Sequence, residues 1–209
     1  MDKAVFRLMN DTERDYWYRR LLPEGFAPNE IKPREDVERL LTEDRYEIWG
    51  LFPDDPQQGG ADDPAQRRPA LPAGFACLWK RPGIPLVLLD YLGVTEELRG
   101  GGWGARMLGW LKAQGRPLVL ESELPVADAP EEENAIRRRR IAFYARNGFL
   151  PAYEMATCGM RWQAMLAGGE AYAPGDIMRW HKELYDEKRT DVKVPLGPDE
   201  TPDPPYWMK

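Results

Sequence analysis

Arg99-Gly100-Gly101-Gly102-Trp103-Gly104 lies between a Leu- and Val-rich run and a segment with helical spacing. Glycines carry no side chain, so several backbone N–H groups can converge on one anion. A helix start adds about half a positive charge. A diphosphate suits such a turn, and Arg99 adds a permanent charge with a planar donor fork. The same glycines also suit a tight turn that binds nothing. No Gly-Lys-Ser/Thr follows, which excludes the Walker phosphate loop. The turn also lies far from the N-terminus with no acidic strand end at the required interval, which disfavours a dinucleotide fingerprint.

Other reactive residue types are sparse. Cys77 and Cys158 are far apart among strand-like residues and read as two small buried thiols with no disulfide. Neither has a partner that would activate it as a nucleophile. The only histidine, His181, falls in a polar C-terminal helix candidate, with no second histidine or nearby cysteine to share a metal. No metal is expected, and a Ser-His-acid triad is poorly placed.

The elements that position the turn follow from periodicity. A strand at 5–9 precedes a helix capped by Asp11 or Thr12 and carrying Trp17, Leu21 and Leu22. Pro33 suits a first helical position ahead of Val37, Leu40 and Leu41. Strands at 46–52 and 74–79 flank a Pro-, Gly-, Gln- and Asp-rich loop at 53–72. Residues 84–94 read as a strand buried on both faces, and a new strand starts at Pro117, so strand, turn, helix and strand form a βαβ unit. A helix over 134–147 ends at Gly148. Strands at 153–158 and 160–165 turn at Gly159, and a helix spans about 175–188.

At 209 residues, with 43% hydrophobic and 31% charged residues, the chain reads as one folded domain over 1–189 with an extended Pro- and Asp-rich tail over 190–209. A formal charge of −6 disfavours general affinity for nucleic acid. No apolar run approaches the roughly 20 residues that span a bilayer, and Met1-Asp2-Lys3-Ala4 opens no secretory pattern, so no membrane partner and a cytoplasmic location are expected.

Over 86–149 the chain resembles the Gcn5-related N-acetyltransferase superfamily. The likeness rests on Leu92-Gly93-Val94, on Arg99-x-x-Gly102-x-Gly104, and on Phe143-Tyr144-Ala145-Arg146-Asn147-Gly148-Phe149, in that order and spacing. The run from Arg137 to Tyr144 also looks like one bacterial subgroup, and Phe26, Ala27, Pro28 and Glu30 resemble a subgroup signature near the acceptor entrance. The resemblance implies an α+β fold whose central mixed sheet splays at its two middle strands, flanked by helices, with an acetyl-coenzyme A-binding core over 84–149. It implies that Leu92, Gly93 and Val94 pair with the pantetheine arm, one N–H facing the thioester oxygen. The pyrophosphate would then lie on Arg99, Gly100, Gly101, Gly102, Trp103, Gly104 and Ala105. Gly93 departs from the bulkier residue often found there, which suits a bulge.

The implied activity is transfer of acetyl from acetyl-CoA to the primary amine of an acceptor by direct attack. A non-catalytic acyl-CoA-binding module is the alternative. Tyr144 matches the family's tyrosine; its phenol, with a pKa of about 10, can protonate the departing thiolate, or it is an amphipathic core residue. Glu121 and Asp90 are the candidate bases, since both sit in apolar strands where burial can raise a carboxyl pKa; each can instead be a hydrogen-bonded strand-end carboxylate. His181 is expected outside this cleft. In the Arg137–Arg140 run, Arg137, Ile141 and Tyr144 share a helix face, as do Arg140 and Tyr144. One or two arginines can approach the cofactor phosphates, or the run is a solvated face paired with Glu131, Glu132 and Glu133. The chain is expected to be a monomer or homodimer.

Overall fold

The computed structural model describes residues 4–28, 30–53 and 71–205. Its elements are β1 (Ala4–Leu8), α1 (Asp11–Tyr16), a π-helical stretch (Trp17–Leu21), α2 (Leu22–Gly25), α3 (Arg34–Thr42), β2 (Tyr46–Pro53) and β3 (Gly74–Trp79). There follow β4 (Val87–Val94), a 3-10 turn (Glu96–Leu98), α4 (Trp103–Lys112), β5 (Leu118–Glu123), α5 (Glu131–Arg146), β6 (Leu150–Thr157), β7 (Met160–Ala167) and α6 (Pro174–Leu184). The seven strands form one mixed sheet in the order β1-β2-β3-β4-β5-β7-β6. β4 and β5 are parallel, the arrangement that a strand–helix–strand crossover produces. Their register pairs Val87 with Leu118, Leu88 with Val119 and Leu89 with Leu120. It ends there, short of the strands' own ends at Val94 and Glu123.

Within this fold the chain forms two compact units, Met1–Leu78 with Tyr91–Met107, and Trp79–Asp90 with Leu108–Lys209. In the first, β1 pairs antiparallel with β2, and Trp17, Leu21, Leu22, Val37, Leu40, Ile48, Leu51 and Phe75 are buried. The cap of α1 is Asn10 rather than Asp11 or Thr12. Its side chain accepts from Glu13 N at 3.0 Å, while the Glu13 carboxylate accepts from Asn10 N at 2.8 Å. That reciprocal box needs Glu three residues after the cap, and only Asn10 has it. Pro33 likewise caps α3 instead of opening it.

In the second unit β7 lies between β5 and β6, antiparallel to both. The β6–β7 hairpin turns through Cys158 and Gly159, at φ 53° and 77°. Both residues are left-handed, as a two-residue turn matched to strand twist requires. Cys158 is thus a half-buried turn residue, not a strand thiol, and it and the buried Cys77 are both free. α5 starts at Glu131, three residues before the expected Asn134, because Pro130 sets the entry and three glutamates in the first turn suit the helix dipole. Asn134 instead ties the preceding loop: its amide accepts from Val126 N at 2.9 Å and donates to Val126 O at 2.7 Å.

α6 ends at Leu184 rather than near 188, because Tyr185 turns extended at φ −76° and ψ 153°. The tail from residue 190 is packed, with turns at 190–191 and 198–199. Asp191, Val192 and Leu196 are buried, Lys193 bridges to Ala156, and Leu196 N donates to Glu154 O at 2.8 Å. Residues 54–70 of the expected loop and 206–209 of the tail lie outside the described residues.

Candidate active site

The glycine turn sits where β4 runs out. Leu92, Gly93 and Val94 are each half-buried. A Cβ on Gly93 would lie 2.7 Å from Phe75 Cζ, so the ring of Phe75, itself 2% exposed, occupies the space a side chain would need. Close approach of an aromatic ring accounts for this glycine. Thr95 N then donates to Ala73 O at 2.9 Å, and the 3-10 turn follows.

Gly100 and Gly102 have φ of 80° and 75°, and a Cβ on either would meet nothing within 4 Å. The backbone conformation, not crowding, calls for glycine there. Arg106 N donates to Gly102 O at 3.1 Å and is the first helical bond of the α4 start. The amides of Trp103, Gly104 and Ala105 precede it, and a helix offers such first-turn donors no internal acceptor. Arg99 is exposed, and the exposed Arg106 places its guanidinium 4.0 Å over the buried Trp103 ring. Arg106 is a cation of the first turn of α4 that the sequence did not single out.

A second cluster lies on β5, β6 and the end of α6. Tyr185 donates to Glu121 Oε1 at 2.6 Å, and His181 Nε2 lies 3.0 Å from the same oxygen. Across the imidazole, Nδ1 is 2.9 Å from the Tyr153 hydroxyl. His181 is 0% exposed while the Glu121 side chain keeps 14%, so the histidine expected outside the cleft lies buried against the candidate base. The sequence hid this because the helix that carries His181 is polar in composition yet buries the face holding Ile177, His181 and Leu184.

Burial raises the pKa of Tyr185 well above the ordinary phenol range, and the negative charges of Glu121 and Asp90 reinforce the shift. Both candidate bases therefore act on one phenol. Tyr185 also stacks edge-on to Trp79 with centroids 5.1 Å apart and lies under Arg189, 5.1 Å from its ring. Spacing by four from His181 to Tyr185 was the available sequence signal, masked by the break of α6 between them.

Tyr144 is half-buried on α5, edge-on to Phe143 and Phe149 at 5.3 Å and 6.2 Å. Its hydroxyl has no hydrogen-bond partner among the described residues. Desolvation raises its pKa, against a smaller lowering by Arg140, which keeps the phenol protonated. The arginine run divides. Arg138 pairs with Glu131 and Arg137 with Glu133, as a solvated face would, but Arg137 and Arg140 also converge on Glu123 at 3.5 Å and 3.2 Å.

No family model matches the chain. Among curated proteins it is 29% identical over 133 residues to YjbC of Bacillus subtilis, which is assigned as an acetyltransferase; the match covers 64% of this chain and 56% of that one. The chain thus spans little more than half the length of that relative. Among solved structures it resembles a GNAT-family protein of Bacteroides thetaiotaomicron, assigned as an acetyltransferase, with a TM-score of 0.61 at 24% identity over 87% of this chain and 98% of that one. An aminoglycoside 6′-N-acetyltransferase complexed with coenzyme A superposes with a TM-score of 0.51 at 16% identity, over 78% and 95% of the two chains. The chain shares its fold with these GNAT-family structures.

Proposed function

We propose that the chain is an N-acetyltransferase that moves acetyl from acetyl-CoA to a primary amine by direct attack. The observation that carries this reading is the turn at Gly100 and Gly102, whose left-handed glycines open α4 with the amides of Trp103, Gly104 and Ala105 free of helical acceptors. Open amides, a helix start and the cations Arg99 and Arg106 fit a pyrophosphate by charge and by donor direction.

In this reading the backbone of Leu92, Gly93 and Val94 pairs with the pantetheine arm and one amide there receives the thioester oxygen as negative charge develops on it. Glu121, or Asp90, takes a proton from the acceptor's ammonium group. The freed nitrogen lone pair then bonds the carbonyl carbon and the C–S bond breaks. Tyr144 delivers its proton to the departing sulfur, and its phenolate takes back the second proton that the new amide nitrogen sheds, so that the net proton released is the one on the carboxylate.

Calorimetry with acetyl-CoA, followed by a thiol-release assay against a panel of amines, tests the reading. Binding together with amine-dependent thiol release is the expected result. Binding without release for any amine would leave a non-catalytic acyl-CoA module, and no binding would overturn the placement.

A further inference from the structure

The hydroxyl of Ser122 on β5 is buried and makes no hydrogen bond among the described residues. The residue is 3% exposed. Leu118 and Leu120, which share its face of the strand, are 1% and 2% exposed and have no polar side-chain atom to offer. Burying a hydroxyl without a partner costs its desolvation, and an alanine in the same place would not carry that cost. A hydroxyl kept under those conditions calls for a partner that the protein itself does not supply.

Its place in the sheet narrows the chemistry of that partner. On one edge of β5, Ser122 pairs with Gln163 of β7. On the other edge the register with β4 ends at Leu120, two residues earlier. Alternation along the strand puts Ser122 and Glu121 on opposite faces. Glu121 faces Tyr185 and His181, so an acceptor that gives its proton to Glu121 does not meet Ser122. Acyl-CoA brings two kinds of polar group besides its thioester and its adenosine: charged phosphates, which suit cations and open amides, and the two neutral amides of the pantetheine arm. A hydroxyl both donates and accepts, so it matches an amide, and its apolar surroundings suit a neutral group.

We propose that the Ser122 hydroxyl is a cofactor-binding group that hydrogen-bonds an amide of the pantetheine arm of acyl-CoA. The proposal rests on the cofactor half of the acetyl-transfer reading and deepens it, by giving the arm a side-chain contact on β5.

Ser122→Ala deletes the hydroxyl and leaves the rest of the side chain. In thermal melts of the ligand-free protein, the variant should unfold roughly 2 °C to 4 °C above the wild type, because the buried hydroxyl without a partner is gone. In calorimetry its Kd for acetyl-CoA and for CoA should rise roughly 3-fold to 10-fold, as loss of one neutral hydrogen bond does. The Kd for 3′-phosphoadenosine 5′-diphosphate, which keeps the phosphates of CoA and lacks the arm, should stay at the wild-type value. A residue that only packs does not combine higher stability with weaker binding of the arm.

Unchanged affinity for acetyl-CoA would overturn the proposal. So would a ligand-free variant less stable than the wild type, since the hydroxyl would then already have a partner. Equal weakening of all three ligands would put the effect on the phosphates, and weakening of acetyl-CoA alone would put it on the acyl group; either overturns the contact with the arm. A wild type that binds acetyl-CoA but transfers acetyl to no amine would remove the transfer step and leave this contact standing. A wild type that binds neither acetyl-CoA nor CoA would remove the cofactor reading itself, and the proposal with it.

Discussion

Tyr185 and Glu121 meet at 2.6 Å although 64 residues separate them in the chain, because α6 stops at Leu184 and the next residue turns extended. Tyr185→Phe keeps the ring against Trp79 and deletes the donor. A carboxylate that loses a donor is less favoured in its charged form. The acidic limb of the kcat/KM profile should therefore move to higher pH, with a stability loss of about 1.5–3 kcal/mol for a hydrogen bond to a charged group. A pH profile and urea melts measure both; an unmoved limb would take Glu121 off that limb.

Cofactor affinity should fail at the glycine turn and not elsewhere on α4. Gly102→Asp forces a side chain into a left-handed position and adds negative charge where the amides open. Gly109→Asp, also with nothing within 4 Å of its Cβ position, is the control. Calorimetry should show acetyl-CoA binding lost in the first and kept in the second. Equal affinities would place the pyrophosphate elsewhere.

Gly93→Val should destabilise by about 1–3 kcal/mol, the usual cost of overpacking, since the new Cβ would lie 2.7 Å from the Phe75 ring. Phe75→Leu on that background should recover part of the loss, giving a non-additive double-mutant cycle by denaturant unfolding. Additive losses would mean that the ring is not what excludes a side chain at residue 93.

Tyr144→Phe keeps the contacts with Phe143 and Phe149 and removes a proton donor. If the phenol protonates the departing thiolate, kcat should fall by roughly 10²-fold to 10⁴-fold with little change in cofactor affinity. A wild-type rate with chemistry shown to be limiting would leave Tyr144 a packing residue.

Asp191 gives a prediction in pH. Burial opposes its charge, but Arg189, bonding through Nε and Nη2 at 3.0 Å each, and Cys158 N at 2.8 Å outweigh it and hold the carboxyl below its ordinary range. The unfolded chain thus takes up the proton first, at about pH 3.9. The stability Asp191 contributes is complete above that pH and is lost as pH falls through the lower folded value. Asp191→Asn should cost about 3–5 kcal/mol near neutrality, as loss of one partner of a buried pair does, and flatten the acid limb of stability. Thermal melts across pH check it, and an unchanged acid limb would dismiss the pair as its source.

How much of this was legible varied with the range of the interaction. The run from β4 through the turn to α4 and β5 was readable because strand, glycines and helix are contiguous and each has its own period. The α1 cap was expected one or two residues past Asn10, and Pro33 one position inside α3, because the residue that caps a helix depends on local geometry and not on pattern. His181, Tyr153 and Tyr185 escaped because their meeting with Glu121 depends on the β5–β7–β6 register and on where α6 breaks. No local spacing encodes either. Gly93 was legible as an oddity but not as a contact, since Phe75 lies on another strand.

The packed C-terminal segment limits how the protein can be shortened. Trimmed at residue 189, where composition suggests that a spacer begins, the chain would leave Arg189 without Asp191. It would also uncover the edge of β6, which carries Tyr153, and remove the carbonyls of Gly197, Pro198 and Glu200 that Arg161 holds. Chain length after α6 is therefore set by an edge strand that must be covered, and a cleavable tag belongs beyond the final residue rather than in place of the tail.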